Sequence, residues 1–176
     1  NGDVVKGYNI ELVRRIWKNM NLPELDIKVQ PWPRSIKYFD SSTPTCLFPV
    51  ALTEQRKKNY RYVTTPISFE IAILTHKKNE KLFATTAQIK RSRMCIPKAT
   101  SFLSILRKQG YTDKNFDFGT TLPCSVKKFS KGRTPLIVGC IPNVLYNYHL
   151  IGGDPSELSV LTIIATMPSS FLFNNA

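Results

Sequence analysis

The 176-residue chain carries 25 Lys and Arg against 12 Asp and Glu, a formal net charge of +13, with 42% hydrophobic and 11% aromatic residues. This suits one ordinary globular domain or two small lobes with a real core, and it excludes collagen-like or low-complexity chain. No apolar run is long enough to cross a bilayer as a helix, and Asn1-Gly2-Asp3-Val4-Val5 lacks the basic-then-apolar pattern of a signal peptide, which is expected to have been removed or never present.

The charge is uneven. Residues 1–70 hold 11 basic and 7 acidic side chains, residues 71–176 hold 14 and 5. A basic surface favours acidic partners such as nucleic acid, anionic lipid, cell-wall polymer or small anions, although a plain soluble surface explains it equally well. Cys46, Cys95, Cys124 and Cys140 are well separated, and His76 and His149 lie far from each other. That spacing excludes the usual zinc sites and leaves three complete disulfide pairings, or free thiols, open.

In chain order, Gly7-Tyr8-Asn9 reads as a turn with Asn9 as N-cap. Ile10, Val13, Trp17 and Met20 recur at helical spacing, which predicts an amphipathic helix over 10–20 that Pro23 stops. Leu25, Ile27 and Val29 alternate with polar residues, a strand signal. A loop at Pro31-Trp32-Pro33-Arg34 leads to a short helix over 35–39. Residues 47–51 read as a buried strand that Pro49 ends or distorts, followed by the charged turn Thr53-Glu54-Gln55-Arg56-Lys57-Lys58. Strands are expected over 60–63 and 69–75, with a break at Thr65-Pro66 between them.

From Lys77 a charged connector marks a boundary. Beyond it, helices are predicted over 85–90, 101–109, 122–131 and 142–150. Strands are predicted over 93–96, 116–118, 136–140 and 159–166, and Gly110 closes one helix. Strands alternating with short helices indicate an α/β fold with a parallel sheet.

No GxSxG, Walker A, GxGxxG or HExxH pattern is present. Cys140 and His149, nine residues apart on one crossover, do not form a nucleophile–base pair, and the acids are scattered singly. Two places suit a ligand. Arg56 and Thr53 follow a strand, where an arginine can meet a carboxylate or phosphate with two parallel hydrogen bonds. The plainer reading puts Arg56 on a wet surface with Lys57, Lys58 and Arg61. Lys98-Ala99-Thr100-Ser101 precedes a helix, where free N–H groups and hydroxyls form an anion seat, ordinary N-capping being the plainer reading. Trp32, Tyr8 and Phe48 offer apolar platforms, though each suits a core equally.

Gly7-Tyr8-Asn9-Ile10-Glu11-Leu12, Pro31-Trp32-Pro33-Arg34, Leu52-Thr53-Glu54-Gln55-Arg56, Tyr60-Arg61-Tyr62-Val63-Thr64-Thr65-Pro66 and Gly132-Arg133 before 136–140 occur in an order that resembles a known family. That family is the extracellular solute-binding proteins of the polar amino acid type, with the type II periplasmic-binding-protein fold. The resemblance implies a two-lobed α/β fold: a partial first lobe over 1–72, a second lobe over 73–170 and the start of a return crossover over 171–176. Counterparts of the family's first strand and C-terminal segment are missing. It implies a non-catalytic domain in the periplasm, binding a small ligand between lobes hinged near 69–75 and 166–173, and working with an ABC transporter permease or as part of a receptor. No cofactor is implied.

Carried over, Arg56 and Thr53 grip the ligand carboxylate and Thr100 and Ser101 hold it from the second lobe, while Trp32 and Phe48 enter the expected site only as the apolar platforms named above. Several positions depart from the family pattern, and Phe48, Pro49 and Ala51 stand where the family has hydroxyl residues. Cys140 stands where an acid would bind an α-amino group, and Pro135 replaces the Asp of the Gly-Arg-x-Asp strand. A ligand ammonium would lack its counter-charge, so an anionic or carboxylate ligand is expected. The competing expectations are a basic module binding an acidic polymer, membrane surface or protein partner, and an enzyme on the same fold. The basic residues are not interleaved with aromatics in a nucleic-acid motif, which argues against nucleic acid.

Overall fold

The computed structural model describes residues 6–23, 25–41, 44–98 and 100–174; the readings placed on residues 1–5 and Ala99 lie outside them. Helix α1 spans Tyr8–Asn19 and is capped by Gly7 rather than Asn9. At φ 136° Gly7 holds a backbone conformation that a side chain would strain, and its carbonyl accepts the Glu11 N–H at 3.0 Å. The expected strand at 25–29 does not form. Its alternation is real, but a strand needs a neighbour for its backbone groups, and none pairs with it among the described residues. Helix α2, Trp32–Phe39, starts earlier than expected because Pro33 fits the first turn, where its missing N–H costs nothing.

Strand β1, Cys46–Ala51, contains the cis Phe48–Pro49 bond, and its pairing register shifts between Leu47 and Val50. Pro49 thus distorts the strand without ending it. The charged stretch after it is a helix, α3 (Glu54–Asn59), not an open turn. Strand β2 then runs unbroken over Arg61–His76. The expected break at Thr65-Pro66 is absent, since a proline inside a strand removes one donor without turning the chain.

A 3₁₀ segment over Lys77–Phe83 leads into α4, Thr86–Lys90, closed at its start by a reciprocal capping box between Thr85 and Gln88. There follow β3 (Met94–Pro97), α5 (Leu103–Lys108), β4 (Phe116–Gly119), α6 (Leu122–Ser130), β5 (Leu136–Cys140), α7 (Ile141–Leu150) and β6 (Leu158–Phe173). The hydrogen-bonded strand order is β1-β6-β2-β5-β3-β4. Strand β3 runs parallel to β4 and β5, whereas β1–β6 and β2–β5 are antiparallel, so the sheet is mixed rather than parallel throughout.

The chain forms two compact units, residues 1–65 with 169–176 and residues 66–168, and the backbone passes from one to the other inside β2 and inside β6. The first unit packs Phe39, Val50, Leu52 and Leu172 with Trp32, Leu47 and Tyr60. Asn174 ties this unit together: its Oδ1 accepts the Thr45 N–H at 2.9 Å and its Nδ2 donates to the Phe39 carbonyl at 2.9 Å.

The second unit is built around β5, all five residues of which are buried. Its Ile137 clusters with Ala72, Leu74, Cys95, Val126, Phe129, Val144 and Tyr148. Fully burying one such large side chain contributes about 1.5–3 kcal/mol. Asp117, 5% exposed, receives Lys128 Nζ at 2.7 Å and Arg133 Nε at 2.6 Å. The Lys128 hydrogen bond, more than any other influence, holds its carboxyl below the ordinary value of 3.8. All four cysteines are free thiols.

Two stability tests follow from this packing. A Cβ on Gly119 would meet the backbone nitrogen of Ser125 at 2.9 Å, which a side-chain rotation cannot relieve. Gly119→Ala is expected to lower stability by about 1–3 kcal/mol in urea unfolding. Because the Asp117 pKa is lower in the folded than in the unfolded chain, its contribution is complete above about pH 4 and is lost as the pH falls through the folded value. Asp117→Asn should remove that part of the acid dependence, read as a flatter plot of unfolding midpoint against pH below 4.

Candidate functional site

In the first unit, Thr53 ends the extended segment after β1 and caps α3, its Oγ1 accepting the Arg56 N–H at 3.3 Å. The cap turns the Arg56 side chain back toward the strand just left. Arg56 Nη1 donates to the Ala51 carbonyl at 2.7 Å, and the guanidinium lies over the Trp32 ring, 5.3 Å from its centroid. That distance fits a cation–π contact. Trp32 is presented by the first turn of α2.

The neighbouring charges go elsewhere. Lys57 pairs with Glu54 at 2.7 Å within α3, and Lys58 is exposed. Arg56 alone of this cluster is half-buried and turned inward, so the wet-surface reading does not hold for it. Burial is the main influence on its pKa and lowers it, while the nearby Tyr60 opposes. Its remaining N–H groups meet no acceptor, and it forms no ion pair, among the described residues.

The structure thus brings Arg56, Thr53 and Trp32 together. Phe48 turns instead to Phe171, with ring centroids 5.4 Å apart. Two neighbours of this group were not singled out from sequence: Tyr60 Oη donates to Asp40 Oδ1 at 2.7 Å, and the Tyr60 ring tilts onto Phe39 at 5.0 Å. Twenty residues separate Tyr60 from Asp40, and no local pattern signals the pair.

In the second unit, Cys95 lies opposite Ile137 in the parallel β3–β5 pair, so Pro97 and Cys140 close the same, carboxyl end of the sheet. Thr100 and Ser101 follow at that end. They do not begin the helix as expected: α5 starts at Leu103 with Phe102 as its N-cap and no side-chain cap. The Thr100 carbonyl instead takes the Leu103 N–H at 3.4 Å in a turn, and the Ser101 carbonyl accepts Ser104 Oγ at 2.9 Å. The Thr100 hydroxyl is buried with no hydrogen-bond partner among the described residues.

Cys140 is buried and caps α7, where Pro142 occupies the first turn. Burial pushes its thiol pKa up, a backbone hydrogen bond from Asn143 opposing, so the group is uncharged at neutral pH. No group of three or more potential metal ligands occurs among the described residues. No described helix is long and apolar enough to cross a membrane.

By sequence, no family model and no curated protein matches the chain. By structure, the chain is similar to a histidine kinase sensor domain that itself resembles periplasmic binding proteins: TM-score 0.81, 16% identity, over 97% of this chain and 73% of that one. It is similar to the GluR0 ligand-binding core in complex with L-glutamate, with TM-score 0.74 and 14% identity over 94% of this chain and 75% of that one. A third similar structure is ytmK from Bacillus subtilis, described as a probable amino-acid ABC transporter extracellular-binding protein, with TM-score 0.72 and 13% identity over 96% of this chain and 74% of that one. At such low identity the similarity speaks for architecture alone, and on that point the three agree: the chain has the type II periplasmic-binding-protein fold.

Proposed function

We propose that the chain is a non-catalytic binding domain for a small carboxylate-bearing or other anionic ligand, working outside the cytoplasm in uptake by an ABC transporter or in sensing. The observation that carries this reading is Arg56. It is a half-buried cation with no acidic partner among the described residues, fixed by the Ala51 carbonyl, the Thr53 cap and the Trp32 ring. A cation in such a setting is costly unless an anion joins it. A guanidinium held rigidly in advance loses little entropy when it takes a carboxylate through two parallel hydrogen bonds.

The similar structures support the same reading. One is a sensor domain, one is complexed with L-glutamate, and one is described as part of an amino-acid transporter. Thr100, Ser101 and Cys140 keep the candidate roles that the resemblance gives them. The neutral Cys140 thiol cannot balance an ammonium, so the preferred ligand is an anion without an α-amino group.

A thermal-shift screen of dicarboxylates, phosphates, sulfonates and amino acids tests this. A ligand at one hundred times its Kd adds about 2.7 kcal/mol of stability. Arg56→Ala should abolish the shift, and Arg56→Lys should keep only part of it because the ammonium is a point charge without the planar fork. A shift of undiminished size in Arg56→Ala would remove Arg56 from the site.

A further inference from the structure

A cleft of about 670 Å³ lies wholly within residues 66–168, lined by His76, Lys77, Lys78, Asn79, Tyr148 and Glu157 among others. It does not include Arg56, Thr53, Thr100, Ser101 or Cys140. In the antiparallel β2–β5 pair, Ile71 faces Cys140 while Leu74 faces Ile137, and Thr75 Oγ1 donates to the Pro135 carbonyl. The cleft is therefore at the Pro135 end of β5, roughly 17 Å along the strand from Cys140.

Its floor is aromatic and rigid. The His76 imidazole lies parallel to the Phe129 ring with centroids 4.5 Å apart, and the Tyr148 ring meets it edge-on at 5.7 Å. Phe129 is fully buried and Tyr148 nearly so, which fixes the imidazole against the second unit's core. Its rim is polar and unsatisfied. The ammonium groups of Lys77 and Lys78, the Asn79 amide and the Tyr148 hydroxyl make no hydrogen bond or ion pair among the described residues, whereas the Ser156 side chain hydrogen-bonds Asp154, whose charge also acts on Lys77. Gly132 ends α6 with φ 70°, and its N–H and that of Arg133 satisfy the carbonyls of Phe129 and Lys128, so these do not compete for the rim donors.

A volume of this size is that of a small-molecule pocket, well beyond one inorganic ion. Four free donor groups, two of them the lysine cations, around an aromatic floor fit a negatively charged headgroup on an organic body. We infer that this cleft is a second ligand site, taking a small molecule with a phosphate or carboxylate headgroup, which Lys77 and Lys78 hold while its body lies over His76 and Tyr148. Glu157 is the acid on the lining and weakens the attraction. This inference does not depend on Arg56 or on the function proposed above.

His76 makes the site readable. Burial, and then Lys78, lowers its pKa from the ordinary 6.5, while Glu157 acts in the opposite direction; Lys77 and Tyr148 also line the cleft beside it. A bound anion favours the imidazolium, so it should raise the His76 value, and by linkage an anion of unchanged charge should bind more tightly as the pH falls through the range in which His76 titrates. His149, the other histidine, is exposed and serves as an internal control.

The test is NMR of the two imidazoles of the whole chain, titrated with inorganic pyrophosphate or with citrate, against sodium chloride at matched ionic strength. The expected result is a saturable shift of His76 without one of His149, together with a raised His76 titration midpoint. Lys77→Ala with Lys78→Ala, both exposed and remote from the core, should weaken binding ~10-fold or more, as loss of charge-assisted hydrogen bonds implies. Glu157→Gln should tighten it. A response to pyrophosphate alone assigns a phosphate headgroup, and a response to citrate alone a carboxylate. No saturable shift with either, a shift that sodium chloride reproduces, or one unchanged in the double-lysine variant would overturn the inference.

Discussion

Strand β5 is the constraint on which the second unit depends. Every residue from Leu136 to Cys140 is buried, with β2 antiparallel on one side and β3 parallel on the other. Only apolar or small residues satisfy that position, and Gly139 shows how closely: a Cβ there would meet Val144 at 2.7 Å. Because β5 cannot shift, its two ends are fixed points. One carries Cys140 and the start of α7; the other carries Pro135 and the cleft containing His76. Asp117 adds a second fixed point, since its carboxylate joins β4 to α6 through Lys128 and to the Gly132 turn through Arg133.

The elements that sequence alone revealed were those with strong local causes. Residues 136–140 form a continuous apolar run between turn signals, and β5 occupies them exclusively. Thr85 and Gln88, Thr121 before Leu122, and Gly110 after α5 all mark helix ends by chemistry that operates within a few residues. The failures had distant causes. Residues 25–29 alternate correctly and still form no strand, because pairing is a property of two segments. Pro66 carries a breaking signal, and β2 passes through it, held by the strands around it. At Thr100 and Ser101, hydroxyl residues suggested a helix start, and the chain instead takes one more turn before α5.

The candidate site was legible in the same uneven way. Thr53 and Arg56 were singled out through the family resemblance, but the helix that Thr53 caps was not legible, because six polar and charged residues in a row read equally as a turn. That Arg56 rests on Trp32 was not legible, as twenty-four positions separate them and only the α2–β1 packing brings them near. Phe48 shows the converse: its place beside the motif suggested a ligand platform, but the cis bond before Pro49 accompanies a side chain that packs on Phe171.

Lys28, Lys57, Arg107, Lys128 and Arg133 take part in ion pairs. With 25 basic against 12 acidic side chains, the chain carries a net positive charge that acts on itself. Compaction brings such charges closer together, and added electrolyte screens that repulsion over about 10 Å at 0.1 M. The few exposed pairs contribute little to stability and lose little on screening. The folded chain should therefore be a protein that moderate salt stabilises, in contrast to proteins whose surface charges are mostly matched. Its ionic environment is part of what keeps it folded.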